Sequence, residues 1–241
     1  MKKKFGVVIL ILSIIVICFN GCSILGACVE AEGEVVTTEV KLDKFSKIEL
    51  KGASKVTLRQ GEIQNVTITA TQNIIDLLNR DVKSDEWEIK FNRCLESAED
   101  ISIDITIPDI EELSVEGSGS IIGDGLISSN LLELSVDGSG ELNLNLDVKE
   151  LESEINGSGD LKLKGTTKTH DIEINGSGDV EAYELTADEA TIEINGSGDV
   201  KLDVSYSLDV EVNGSGDVYY RGNVKKIDSD ISGSGKLKQA E

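Results

Sequence analysis

The chain has 241 residues, a formal net charge of −22, only 4% aromatic residues and a single proline, Pro108. An exterior this acidic repels nucleic acid and anionic lipid headgroups, so phosphate-backbone binding is excluded. The scarcity of aromatics fits a thin core of stacked aliphatic side chains, and four cysteines are too few and too scattered for a disulfide framework.

In chain order, Met1-Lys2-Lys3-Lys4 is a positive leader and residues 5–17 form an apolar run of secretory length, too short for a comfortable membrane span. Cys18-Phe19-Asn20-Gly21-Cys22-Ser23 comes next. A small residue before Cys, directly after an apolar run, has the form of a bacterial lipobox. Cleavage before Cys22 would leave that cysteine as a lipidated N-terminus. Leu25-Gly26-Ala27-Cys28 is a second candidate whose side chains match better but lie farther from the apolar run, so Cys28 is the alternative. The rival readings are an ordinary secretory signal and an uncleaved anchor. The expectation is a signal peptide over 1–21, a tether over 22–44, and a protein outside the cytoplasm held to the membrane by lipid. With Cys18 removed and Cys22 lipidated, Cys28 and Cys94 remain. They can pair in an oxidising compartment, although nothing in their spacing demands it.

The tether is polar, acidic and small, and ends in a first strand near 35–42. Alternation then predicts strands over 47–51, 55–59 and 65–70, punctuated by Gly52 and Gly61. Ile74, Ile75, Leu77 and Leu78 suggest the one helix, two turns over 73–81 with Asn73 as N-cap, in a small irregular cap on the open end of a stacked fold. Further strands are expected over 87–91 and 101–107, where Pro108 ends a strict Ile-Ser-Ile-Asp-Ile-Thr-Ile alternation.

From Leu113 the chain repeats. Gly-Ser-Gly begins at Gly117, Gly138, Gly157, Gly176, Gly196, Gly214 and Gly233, at spacings of 21, 19, 19, 20, 18 and 19 residues. Apolar residues alternate with polar ones on both sides, as at Ile172, Ile174, Val180 and Ala182. A period of two means strand. The glycines mark corners, with Gly157, Gly159, Gly176, Gly178, Gly196, Gly198, Gly214 and Gly216 in the four most regular copies. Asn-Gly is also a hairpin signal, but a meander would turn every 8–12 residues or so, against one glycine corner per repeat of about 19. The fold class is therefore all-β: a parallel β-helix, or β-solenoid, in which one rung stacks on the next about 4.8 Å away.

Stacking converts the repeat into columns. Val115, Val136, Ile155, Ile174, Ile194, Val212 and Ile231 belong inside. Asn156, Asn175, Asn195 and Asn213 form a ladder able to hydrogen-bond along the stack. Asp160, Asp179, Asp199 and Asp217 form an exposed row. These four are weak calcium candidates, because one carboxylate per corner falls short of the six to eight oxygens calcium takes. No other cofactor is indicated. Asn-Gly-Ser also reads as a glycosylation sequon, here a coincidence of turn chemistry. His170, the sole histidine, is expected on the surface in the Lys168-Thr169-His170-Asp171 turn. Cys94 lacks the basic surroundings of a reactive thiol apart from Arg93. Glycosidase chemistry needs two carboxyls at a set separation, and a uniform repeat singles out no pair. Lys236-Leu237-Lys238 in the last rung reads as edge protection, with packing on another copy as the alternative.

Phe45-Ser46-Lys47-Ile48-Glu49-Leu50 followed by Val56-Thr57-Leu58-Arg59-Gln60-Gly61 resembles the opening of the DUF2807 family, the putative auto-transporter adhesin head GIN domain. Residues 103–108 and the repeated Gly-Ser-Gly-Asp resemble the remainder, so the likeness runs from Phe45 to Leu237. It implies a β-helical, exported or surface-anchored bacterial protein and supplies no catalytic residues. The expected head GIN solenoid is residues 45–241. The expected function is a non-enzymatic cell-surface lipoprotein that binds a surface protein or glycan, or associates with itself, with the exposed corner column and Tyr219 and Tyr220 as the first places to look. The alternatives are a carbohydrate-active enzyme on the same fold and a calcium-stabilised envelope spacer or sensor.

Overall fold

A computed structural model describes residues 28–98 and 100–240. The leader, with Cys18 and Cys22, lies outside the described residues. The structure is a parallel β-solenoid of about 7 turns with rungs of about 19 residues. Its regular body comprises β8 (Glu112–Gly117), β9 (Ser120–Gly138), β10 (Glu141–Gly157), β11 (Asp160–Gly176), β12 (Asp179–Gly196), β13 (Val200–Gly214), β14 (Asp217–Arg221), β15 (Lys226–Gly233) and β16 (Lys236–Gln239). All of these neighbours pair in parallel and keep the glycine corner in register, Gly138 against Gly157, then Gly176, Gly196, Gly214 and Gly233. The inner column pairs as expected from Val115 through Val136, Ile155, Ile174, Ile194 and Val212 to Ile231.

The corner explains the glycines. At all seven Gly-Ser-Gly sites the serine N–H donates to the carbonyl of the corner glycine one rung earlier, at 2.7–3.0 Å, as in Ser177 to Gly157 and Ser197 to Gly176. A Cβ on the first glycine of each motif would lie 2.0–2.8 Å from that same oxygen, and its φ is positive. The second glycine has no room either: a Cβ on Gly178 would sit 2.3 Å from the Gly159 oxygen and 2.6 Å from Ile155.

Each turn has a further corner that carries no glycine signal. Buried positions alternate through Leu142, Leu144, Leu146 and Val148, then resume one residue out of phase at Leu151, Ser153 and Ile155. The exposed pair Lys149-Glu150 makes the slip, and Asp188-Glu189 does the same in β12. Variation in repeat length is absorbed between the corners, at register shifts beside Asn143/Asn145, Lys162/Lys164 and Ala182/Thr186. The glycine corners themselves never slip.

The N-terminal part departs from simple order. It contains β1 (Val35–Glu39), β2 (Lys47–Gly52), β3 (Lys55–Gln60), β4 (Asn65–Thr71), α1 (Gln72–Ile75), β5 (Val82–Lys83), β6 (Glu86–Ile89) and β7 (Ser102–Ile107). Strands β2 and β3 already form a full rung, parallel to β8 and β9 on one side and to β6 and β7 on the other. Gly52 therefore stands beneath Gly117 in the corner column, and Ile89 and Leu50 extend the inner column beneath Val115. Along this end β4 on β7, β1 on β4 and β5 on β6 run antiparallel. The helix is shorter than expected, a single turn with Thr71 at the N-cap position and no side-chain cap. Asn73 instead ties down the preceding segment, accepting from the Glu32 N–H and donating to the Glu30 carbonyl. Cys28 and Cys94 form a disulfide, Cα–Cα 4.6 Å, so the segment before β1 is fastened to the cap.

Gly176→Ala is expected to destabilise the protein by about 3 kcal/mol or more, because backbone strain and overpacking act together. Gly33→Ala, at a positive φ with open space around it, should cost about 1 kcal/mol. Urea denaturation of the two variants measures the difference. Equal losses would remove close backbone approach as the reason for the corner glycines.

Candidate functional site

The two strand halves flanking the glycine corner carry different chemistry on their outer faces. Before the corner, one outward column reads Glu133, Glu152, Asp171, Thr191, Asp209. The next reads Ser135, Glu154, Glu173, Glu193, Glu211, and the third Asp137, Asn156, Asn175, Asn195, Asn213. The asparagines form the expected ladder: each Nδ2 donates to the Oδ1 below, at 3.2 Å for Asn175 and Asn195 and 3.3 Å for Asn213. The same amide also donates to the glutamate two residues before it, at 2.7–2.9 Å for Glu154, Glu173, Glu193 and Glu211. Asn is therefore chosen for more than turn chemistry. Its two N–H groups fix a neighbouring amide and a neighbouring carboxylate at once, each bond worth about 1 kcal/mol net.

Among the described residues, none of the carboxylates of these columns forms an ion pair. Unit charges one rung apart repel by only about 0.9 kcal/mol in water, which an exposed sheet face tolerates. The face is hollowed into a groove of about 690 Å³ that runs from Glu112 to Glu193 and is lined by carboxylates, hydroxyls and the edges of Leu134 and Ile172. It is open along the rungs and offers a surface rather than an enclosed pocket.

After the corner the pattern reverses. The outward column Asn143, Lys162, Glu181, Lys201, Tyr219, Lys238 interleaves three lysines with one glutamate and two neutral residues. Its charges pair among themselves and with adjacent acids, Lys162 with Glu141 at 2.9 Å and Lys201 with Glu181 at 2.7 Å. These contacts hold both lysines above their ordinary pKa. The carboxyl of Asp217 is held below its usual range by hydrogen bonds from Lys238 and the Tyr219 hydroxyl.

The aspartate row sits at the edge of this second face. Asp179 and Asp199 each accept the backbone N–H of the aspartate one rung later, at 2.9 and 2.8 Å. Their carboxylates thus satisfy the backbone just past the corner, which is why Asp recurs there. Among the described residues no three His, Cys, Asp or Glu side chains converge as metal ligands. Tyr219 is engaged by Asp217 and Lys238, and Tyr220 packs half-buried on the core. Tyr183 lies under the Arg221 guanidinium, 4.0 Å from its ring centroid. Among the described residues the aromatic rings do not form a common platform on the acidic face.

His170 corrects the sequence reading. It is not on the surface but 1% exposed in the core, paired across rungs with Leu151 and Ala190. Its Nε2 lies 3.0 Å from the Ser153 hydroxyl, itself buried. Hydrophobic alternation would have placed both inward, His170 being two residues before Ile172 and Ser153 two before Ile155. Polarity of residue type overrode that signal. Burial alone drives the imidazole down to about 3. A neutral Ser–His pair sealed from solvent has no path to a substrate, so it offers no nucleophilic chemistry.

The family described as the putative auto-transporter adhesin, head GIN domain (DUF2807) matches residues 44–224. The chain belongs to that family. Its fold is similar to solved structures of a putative adhesin from Bacteroides fragilis, at 22% identity over 88% of this chain and 100% of that one with a TM-score of 0.82. It also resembles a putative lipid binding protein from Parabacteroides distasonis, at 22% identity, 89% and 100% coverage and TM-score 0.75. A third similar structure is a putative adhesin from Parabacteroides merdae, at 20% identity, 88% and 99% coverage and TM-score 0.70. No curated protein gives a significant match. The head GIN match ends at residue 224, and β15 and β16 continue the same columns beyond it.

The buried imidazole makes a pH prediction. A histidine held neutral in the folded state at about 3, against 6.5 unfolded, takes up its proton preferentially on unfolding. Stability is therefore lost as pH falls from about 6.5 toward 3. Replacing the pair together, Ser153→Ala with His170→Leu, should leave stability near neutral pH within about 1 kcal/mol, since both polar partners go. At pH 4 the double variant should be the more stable by about 3 kcal/mol. Parallel pH dependences of the two proteins would show that His170 is already protonated when folded.

Proposed function

We propose that this chain is a non-enzymatic cell-surface binding module of the adhesin type, which docks a cationic protein surface along the carboxylate and amide face before the glycine corner. The observation that carries this reading is the groove from Glu112 to Glu193. Glu112 at its end pairs with Lys47, but from Glu133 onward its acids form no ion pair among the described residues. Asparagine amides hold Glu154, Glu173 and Glu193 in fixed geometry. Preorganised charge of one sign steers a partner of the other. Membership of a family described as an adhesin domain supports the reading, as does a surface built of repeated rungs with no convergent set of reactive groups among the described residues. A glycan partner is favoured less, because the aromatic side chains that stack on sugars lie elsewhere.

In the same reading the protein is exported and held at the membrane by lipid on Cys22. The Cys28–Cys94 disulfide supports Cys22 over Cys28, since it engages the competing sulfur. Among the described residues no helix is long and apolar enough to cross a membrane.

Capture of envelope and surface proteins on the immobilised full chain tests the binding face. Proteins retained in low salt should elute as ionic strength rises, and Glu154→Gln with Glu173→Gln and Glu193→Gln should weaken their retention about tenfold or more. Lys162→Gln on the opposite face should leave retention unchanged. Retention that ignores both salt and the glutamine substitutions, or that disappears when glycans are enzymatically removed, would contradict the proposal.

A further inference from the structure

The two ends of the solenoid match each other. Strands β1 and β16 are the opposite termini of one continuous hydrogen-bonded path, β1-β4-β7-β3-β9-β10-β11-β12-β13-β14-β16. Among the described residues, each has a strand neighbour on one side only, β4 for β1 and β14 for β16. Two antiparallel steps, β1 to β4 and β4 to β7, restore the original direction, so β1 runs the same way as β16. The register can be followed position by position. Thr38 pairs with Ile68, then Ile103, Val56, Ile121, Leu142, Leu161, Val180, Val200, Val218 and finally Leu237. One residue along, the column that begins at Glu39 ends at Lys238 by the same ladder.

The ends are also opposite in charge and alike in exposed apolar surface. At the first end the β1 edge, residues 28–40 with 72–76, contains Glu30, Glu32, Glu34, Glu39 and Asp76 and no lysine or arginine, whereas the β5 edge carries Lys83. The last rung, residues 221–239, carries Arg221, Lys225, Lys226, Lys236 and Lys238 against Asp228 and Asp230. It is locally cationic in a chain of net charge −22. Apolar side chains are open at both ends: Ile227, paired to the buried Leu208, is 43% exposed at the last rung, and Val36, paired to the buried Ala70, is 38% exposed on β1.

We infer that the occupant of each end is a second copy of this chain, stacked head to tail, with β1 of one protomer adding in parallel to β16 of the next and the Glu39 column continuing onto Lys238. Such stacking carries the rung spacing of about 4.8 Å across the junction. It pairs the free edges of β1 and β16, covers Leu237, and sets the acidic β1 edge on the basic β16 edge. Lys238 already donates to Asp217 and Tyr219 on its own rung side, and an ammonium has three N–H groups, enough for a further acid. The interface is heterologous, so repetition gives a linear array rather than a closed dimer. The lysines of the last rung then act as a specificity device as well as edge protection: they reject cationic or like ends and accept the one acidic edge in register.

Cross-linking of the full-length chain tests the geometry. Neighbouring positions on paired strands fall within disulfide reach, so protein bearing Glu39→Cys mixed with protein bearing Lys238→Cys should give a covalent dimer on mild oxidation. Neither variant alone should exceed the wild type. Sedimentation velocity in detergent provides a second readout. Association should weaken with salt, fall about tenfold or more in Lys238→Glu, and recover when Lys238→Glu is mixed with Glu39→Lys. A dimer formed by Lys238→Cys alone would establish a tail-to-tail contact and overturn the proposal. A chain that stays monomeric at high micromolar concentration, with no mixed cross-link, would overturn it equally.

Discussion

Rung-on-rung contact at the glycine corner is the constraint on which the remaining structure depends. There a serine N–H reaches the carbonyl of the rung below, and the approach leaves no volume for a side chain on either flanking glycine. A corner that cannot slip fixes the register of every column. Inner positions then receive the same kind of residue in each turn, and outer positions build ladders of amides, carboxylates or mixed charge. Repeats of unequal length are tolerated because the register shifts fall between the Gly-Ser-Gly corners.

That regularity has consequences for function. Catalysis requires unlike groups brought to one point, whereas a solenoid repeats like groups along a line. The Ser153 and His170 pair points into the core and is closed to solvent. What the fold offers is extended surface of constant composition. In the regular rungs the two faces beside the corner differ in where lysine enters. At Lys162, Lys164 and Lys201 it pairs with acids on its own face. On the face before the corner, from Glu133 onward, the carboxylates form no ion pair among the described residues, and Glu154, Glu173, Glu193 and Glu211 are held by asparagine.

Much of this was legible from residue types alone. The positions of Gly157, Gly176, Gly196 and Gly214, the inner column through Ile174 and the asparagine ladder all come from one repeat, because glycine, β-branched alternation and Asn-Gly each have a single strong local cause. The second corner at Lys149-Glu150 was not legible, since two exposed polar residues leave no mark that differs from ordinary strand surface. The placement of β2 and β3 between the rungs formed by β6–β7 and β8–β9 was hidden for a different reason. Stack order there departs from chain order, and Gly52-Ala53-Ser54 lacks the Gly-Ser-Gly pattern that marks the other corners. The expected helix shortened to one turn because Leu78 pairs through a bridge with Phe91 and Asn79 bonds to the Lys90 and Glu88 carbonyls, drawing the segment toward β6. Of the acidic face, its columns were readable but its lack of pairing was not. That depends on which lysines lie across the corner.

Parallel, in-register stacking is tested most directly by through-space proton contacts between backbone positions in solution. The account predicts contacts from Ile174 to Ile155 and Ile194, its neighbours one rung down and one rung up. A contact from Ile174 across the glycine corner to Val180, in the manner of an antiparallel hairpin and without the two longer-range partners, would contradict it.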